Sequence, residues 1–102
     1  MVYKVESMAA LYDAIAYVGG YSPDKFPYRD WRPPEEQATF ENQFQMLRDA
    51  IAIIDPKIAT PEMLPRLHSL LEESYEAYKS SDNDRGFDLL EDWSELIFGP
   101  EP

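Results

Sequence analysis

The sequence predicts an all-α fold, a compact bundle of about four helices with a long aromatic, proline-rich loop between helices 1 and 2. Three observations predict it. Apolar residues recur at three- and four-residue spacing in four separate stretches. Strong punctuation separates them: Gly19-Gly20, Asp55-Pro56, the turn formers "SSDND" at 80–84, and Gly99-Pro100. No segment reads as a convincing strand, and there is no internal repeat. At 102 residues, 44% hydrophobic and 14% aromatic, residues 1–102 form a single domain with enough apolar content to fold.

The first helix is expected from about Ser7 to Val18. Met8, Leu11, Tyr12, Ile15 and Val18 make its stripe, Ser7 is the N-cap, and Gly19-Gly20 is the stop. The second starts at Pro34 or Glu35, where proline and acids suit a first turn. Its stripe is Phe40, Phe44, Leu47, Ile51 and Ile54, and Asp55-Pro56 ends it. The third opens at Thr60-Pro61 as a separate short turn, or begins near Pro65; Leu67, Leu71, Tyr75 and Tyr78 face one way. The fourth runs from about Asp84 to Phe98. Leu89, Leu90, Trp93, Leu96 and Ile97 form one face, and Asp88, Glu91, Asp92 and Glu95 the other. Short connections between the last three helices favour antiparallel neighbours.

The connection "YSPDKFPYRDWR", Tyr21 to Arg32, concentrates large aromatics where prolines forbid a helix or central strand. Two readings exist. The loop folds back and plugs the bundle, with Phe26 and Trp31 inserted. Alternatively, a proline-stiffened loop presents Tyr28, Trp31 and the neighbouring Arg side chains as a binding surface.

Twenty acids against nine bases leave a net charge of −11. Such a field repels nucleic acid and anionic membrane and attracts cationic partners. Residues 72–102 hold ten of the acids against Lys79 and Arg85, so this segment carries −8 of the total. There is no cysteine, and the first twenty residues are interrupted by Lys4, Glu6 and Asp13. These features fit a cytoplasmic protein without a signal or membrane segment.

Catalytic and cofactor chemistry find little support. The single histidine, His68, has no second histidine or inward acid cluster, so it reads as a surface residue and no metal set is expected. Phosphate loops need clustered glycines, which the four present do not supply. Aligning Gly86 to the sixth position of a calcium loop puts Ser81 first and Arg85 fifth, which breaks the ligand pattern. Gly86 reads instead as easing the chain into the last helix. No nucleophile elbow or glycine-rich turn accompanies the serines, and carboxylate pairs such as Glu72/Glu76 or Asp88/Asp92 stand as acid–base candidates.

The stretch "YKSSDNDRGFDLLEDWSELIFG" resembles the nuclease-colicin immunity proteins, four-helix bacterial proteins that bind and block a basic toxin domain. The resemblance rests on Tyr78, Ser81-Asp82-Asn83, Trp93 and Gly99 and covers about a fifth of the chain. Those proteins carry two adjacent tyrosines, whereas Tyr75 and Tyr78 here are three apart. The resemblance implies that Tyr78, Asp82 and Asn83 contact a partner.

The expected function is therefore that of a non-enzymatic, immunity-type inhibitor. It would bind a cationic toxin domain through Glu72, Glu73, Glu76, Asp82, Asp84, Asp88, Glu91, Asp92 and Glu95, with Tyr75, Tyr78, Tyr28 and Trp31 as exposed anchors. No cofactor, nucleic acid or membrane is required, and the chain would be a monomer or weak dimer. The alternatives are a phage-type DNA mimic or anti-defence protein, and an adaptor subunit of a larger complex.

Overall fold

In the computed structural model, which describes residues 3–99, four α-helices and two 3-10 turns are present, and no strand occurs among the described residues. Pro100 and Glu101, on which parts of the sequence reading fall, lie outside the described residues. Residues 3–6 form no regular secondary structure; Val5 is buried in the core, and the Tyr3 hydroxyl donates to the Glu36 carbonyl.

Helix α1 spans Met8–Tyr21, and Ser7 caps it by accepting from the Ala10 amide at 3.1 Å. The predicted stop at Gly19-Gly20 is overturned, because the helix continues through both glycines. Tyr17 and Tyr21, one turn apart, pack their rings at 4.9 Å, and Phe26 joins Tyr17 at 5.7 Å. These contacts hold the last turn together. The helix ends where Ser22 precedes Pro23 and adopts extended backbone at ψ 147°.

The predicted start of helix 2 at Pro34 or Glu35 is also corrected. Pro34–Glu36 forms only a 3-10 turn, and α2 spans Phe40–Ala50. The Gln37 carboxamide accepts from the Arg29 amide and donates to the Arg29 and Arg32 carbonyls, each at 2.8 Å. That ties residue 37 to the loop and interrupts the helix. A new start is then made by a reciprocal cap: Thr39 accepts from the Asn42 amide while the Asn42 side chain accepts from the Thr39 amide. The chain leaves α2 through a 3-10 turn at Ile51–Ile53. Of the predicted stripe, Phe44, Leu47, Ile51 and Ile54 are buried and Phe40 packs against the core.

Helix α3 spans Leu64–Lys79, with Pro65 in its first turn; Thr60 forms the separate turn before it, its carbonyl accepting from the Met63 and Leu64 amides. Helix α4 spans Asn83–Phe98, capped by Asp82 and ended by Gly99 at φ 85°, a left-handed conformation that suits glycine.

Contacts give the topology. Phe40 stacks on Tyr75 while Arg48 reaches Glu72, so α2 and α3 are antiparallel. Ser74 bonds the Gly86 carbonyl while Trp93 reaches Leu67, so α3 and α4 are antiparallel. Tyr12 meets Phe98 while Gly19 approaches Leu90, so α1 and α4 are antiparallel. Leu11, Phe44, Leu47, Leu67, Leu71, Leu90 and Trp93 meet at the centre. No helix among the described residues is long and apolar enough to cross a membrane.

Gly86 lies inside α4, and easing a turn is not its role. A Cβ there would sit 2.7 Å from Tyr78 Cδ2, and the residue's carbonyl accepts from the Ser74 hydroxyl at 2.7 Å. A side chain at position 86 would separate the two helices at this point.

Candidate functional site

Helices α3 and α4 carry the acidic surface, and their antiparallel pairing places its parts. Glu72, Glu73, Glu76 and Asp82 surround a shallow depression where α3 runs out and α4 begins; Arg85 borders it. Asn83 and Asp84, exposed, open α4, and Asp88 and Asp92 continue an exposed row along it. Glu91 and Glu95 diverge from this row and border a groove of about 340 Å³ between α4 and α1. Like charges three or four residues apart on one helix are mutually unfavourable by a few tenths of a kcal/mol.

Not every predicted acid is at liberty to pair with a partner. The Arg48 guanidinium grips Glu72 through two bonds, Nε to Oε2 at 2.6 Å and Nη2 to Oε1 at 3.1 Å. These bonds hold the Arg48 proton more tightly than usual, against the opposing effect of partial burial. Asp82 accepts from the Arg85 amide as the α4 cap, and Glu73 lies 4.0 Å from the Arg85 guanidinium. At these exposures such pairs contribute little stability.

The aromatic anchors divide. Tyr28 and Trp31 are 64% and 73% exposed, so Trp31 does not plug the core as one sequence reading had it. Its ring instead takes the Arg32 guanidinium at 4.6 Å, and the same guanidinium sits 5.0 Å from the Tyr3 ring. Phe26 is half-buried against Tyr17 and Tyr21, outside the central core. Tyr75 is occupied within the fold: it stacks on Phe40 at 5.1 Å, lies 4.5 Å from the Arg48 guanidinium, and donates its hydroxyl to Glu41.

Tyr78 is corrected from an exposed anchor to a core residue, 3% exposed, with Phe40 and Phe44 edge-on to its ring at 5.9 Å. Its hydroxyl is enclosed and finds no hydrogen-bond partner among the described residues. Burial, assisted by the nearby Asp88 charge, pushes its pKa up to about 12 from the ordinary 10. The folded state thus holds the proton through pH values at which the unfolded chain has released it. This contribution is intact below pH 10 and is lost as pH rises through about 12. Tyr78→Phe is expected to raise stability by about 1 kcal/mol by removing a partnerless buried hydroxyl. It should also flatten the loss between pH 10 and 12, read as the difference between variant and parent denaturation midpoints.

The α1–α4 groove is what the sequence reading missed. Its signal lay in Tyr12, Ile15, Ala16, Gly19 and Gly20, which share one face of α1 at offsets of three, four, seven and eight. Glycine's weak helix propensity masks this pattern, because Gly19-Gly20 has the composition of a helix stop.

Fold and surface together define a class: an all-α four-helix protein with one strongly acidic helical hairpin. Beyond that class, no protein-family model matches the chain, nor does any curated protein or solved structure.

Proposed function

We propose that this protein is a non-enzymatic inhibitor of the immunity type, which binds a cationic protein partner, a toxin domain, and neutralises it. One observation supports this above the rest. Helix α4 presents Asp84, Asp88, Glu91, Asp92 and Glu95 to solvent against a single base, Arg85, on a hairpin held by the buried Trp93–Leu67 and Ser74–Gly86 bonds. A rigid acidic surface attracts Lys and Arg residues that a toxin uses to hold its own anionic substrate, and occupying them blocks access. Charge arranged this way speeds association and selects partners more than it adds affinity. The exposed Tyr28 and Trp31, on a loop fastened by Gln37, add rings at reduced entropic cost.

The test is capture of partners from the source cell, with the parent chain and a variant in which Glu73, Glu76, Asp84, Asp88 and Asp92 become Gln or Asn. The parent is expected to retain one basic protein at one-to-one stoichiometry through high salt. The variant should melt no lower than the parent yet associate with that protein roughly tenfold more slowly, with a flatter salt dependence. Equal association rates would overturn the reading. So would capture of assorted nucleic-acid-binding proteins, all released at high salt, which is the behaviour of a DNA mimic.

A further inference from the structure

We propose that the groove between α1 and α4 is a docking site for a single amphipathic helix of the partner, one with Lys and Arg flanking its apolar stripe. This rests on the inhibitor reading above and names where the partner's apolar residues enter.

The groove is built from two matching helix faces. On α1 three of the five lining residues are small: Ala16, Gly19 and Gly20. A Cβ on Gly20 would meet no heavy atom within 4 Å, and one on Gly19 would make only ordinary contact with Leu90, at 3.7 Å. Glycine within a helix costs about 1 kcal/mol relative to alanine. Nothing among the described residues requires glycine at position 20, but the close approach of a second backbone would. Each helix gives the groove residues over a stretch of nine, Tyr12 to Gly20 and Phe87 to Glu95, roughly 12 Å of axis. That length suits an occupant of two to three turns.

The walls and rim specify its chemistry. The Tyr12 and Phe87 rings line the groove and are 43% and 37% exposed, which suits an apolar stripe. Glu91 and Glu95, one turn apart, stand at the rim, and among the described residues no Lys, Arg or His lines the groove. An apolar trough edged by carboxylates is complementary to a helix with basic flanks. Nucleic acid and anionic lipid would meet like charge there. A second copy of this chain, at −11, would do the same.

The probe is a synthetic sixteen-residue helix with leucines on one face and Lys and Arg along its flanks, titrated by fluorescence anisotropy and by amide chemical shifts. Two controls accompany it, a scrambled peptide of identical composition and a helix with the same stripe and Glu flanks. The basic helix should bind one-to-one and shift the Ala16, Gly20 and Ser94 amides. Gly20→Leu starts from a Cβ that meets nothing within 4 Å and carries its side chain into the trough, so it should melt as high as the parent and bind the probe at least tenfold more weakly. Ala16→Leu, at another exposed position of the lining, should repeat that result. Glu91→Gln with Glu95→Gln should weaken binding and flatten its salt dependence.

Unchanged affinity in both filled variants overturns the proposal. So does equal binding of the scrambled peptide, in which case the acidic surface alone holds cations and the inhibitor reading survives. Equal binding of the Glu-flanked helix, or a dimer of the parent that Gly20→Leu dissociates, also overturns it. If no basic peptide binds at low salt, both readings fall.

Discussion

Trp93→Ala is expected to cost about 3–5 kcal/mol, a large fraction of the stability of a domain this size. Trp93 is fully buried and is the largest side chain at the junction of the helices. Truncation removes the transfer energy of an indole and leaves a cavity that four helices cannot all close. It also removes the bond in which the indole Nε1 donates to the Leu67 carbonyl at 2.9 Å, which ties the C-terminal half of α4 to the N-terminal half of α3. Trp93→Phe separates the two effects: it keeps most of the ring, loses the bond, and should cost about 1–2 kcal/mol. Urea denaturation followed by circular dichroism measures both. A Trp93→Ala midpoint within error of the parent would show that this ring does not hold the hairpin together.

Gly86→Ala should destabilise by about 2 kcal/mol, although alanine is the better helix former. The added methyl would lie within 2.8 Å of three Tyr78 ring atoms. That ring cannot swing aside, because Phe40 and Phe44 flank it. The two helices must separate or the ring must leave its rotamer, and either outweighs the propensity gain. A double-mutant cycle with Tyr78→Leu isolates the contact. In the leucine background Gly86→Ala should be neutral or stabilising; an equal cost in both backgrounds would trace the effect to something other than the Tyr78 ring. Since Ser74 also bonds the Gly86 carbonyl, spreading here would shift the start of α4, and with it Asp84 and Asp88, relative to Glu73 and Glu76.

Much of the architecture was legible in the sequence. The stripe from Phe44 to Ile54 is buried as its spacing predicts, Ser7 caps α1, and α4 begins within a residue of its expected start. The misses have particular causes. The start of α2 lies five or six residues later than expected because Gln37 bonds to the loop backbone and Asn42, not an acid, completes the cap. Gly19-Gly20 looked like a terminator because glycine weakens helices, but ring contacts among Tyr17, Tyr21 and Phe26 outweigh that local preference. The candidate site was half legible. Charge count marked the α3–α4 surface, while the pairing of Glu72 with Arg48, across 24 residues of sequence, was not visible.

The sequence by itself determined that the chain is helical, where three of its four helices begin, and that negative charge gathers on the last two. Those properties are local: backbone bonds span four residues, side-chain periodicity needs only one helix, and charge is additive. Tertiary structure alone decided that Tyr78 is buried while Trp31 is exposed, that Gly86 is a point of helix contact, and that α1 and α4 leave an acid-rimmed groove between them. Each of those depends on which residues from distant segments compete for the same space, and close packing admits one arrangement that no single segment contains.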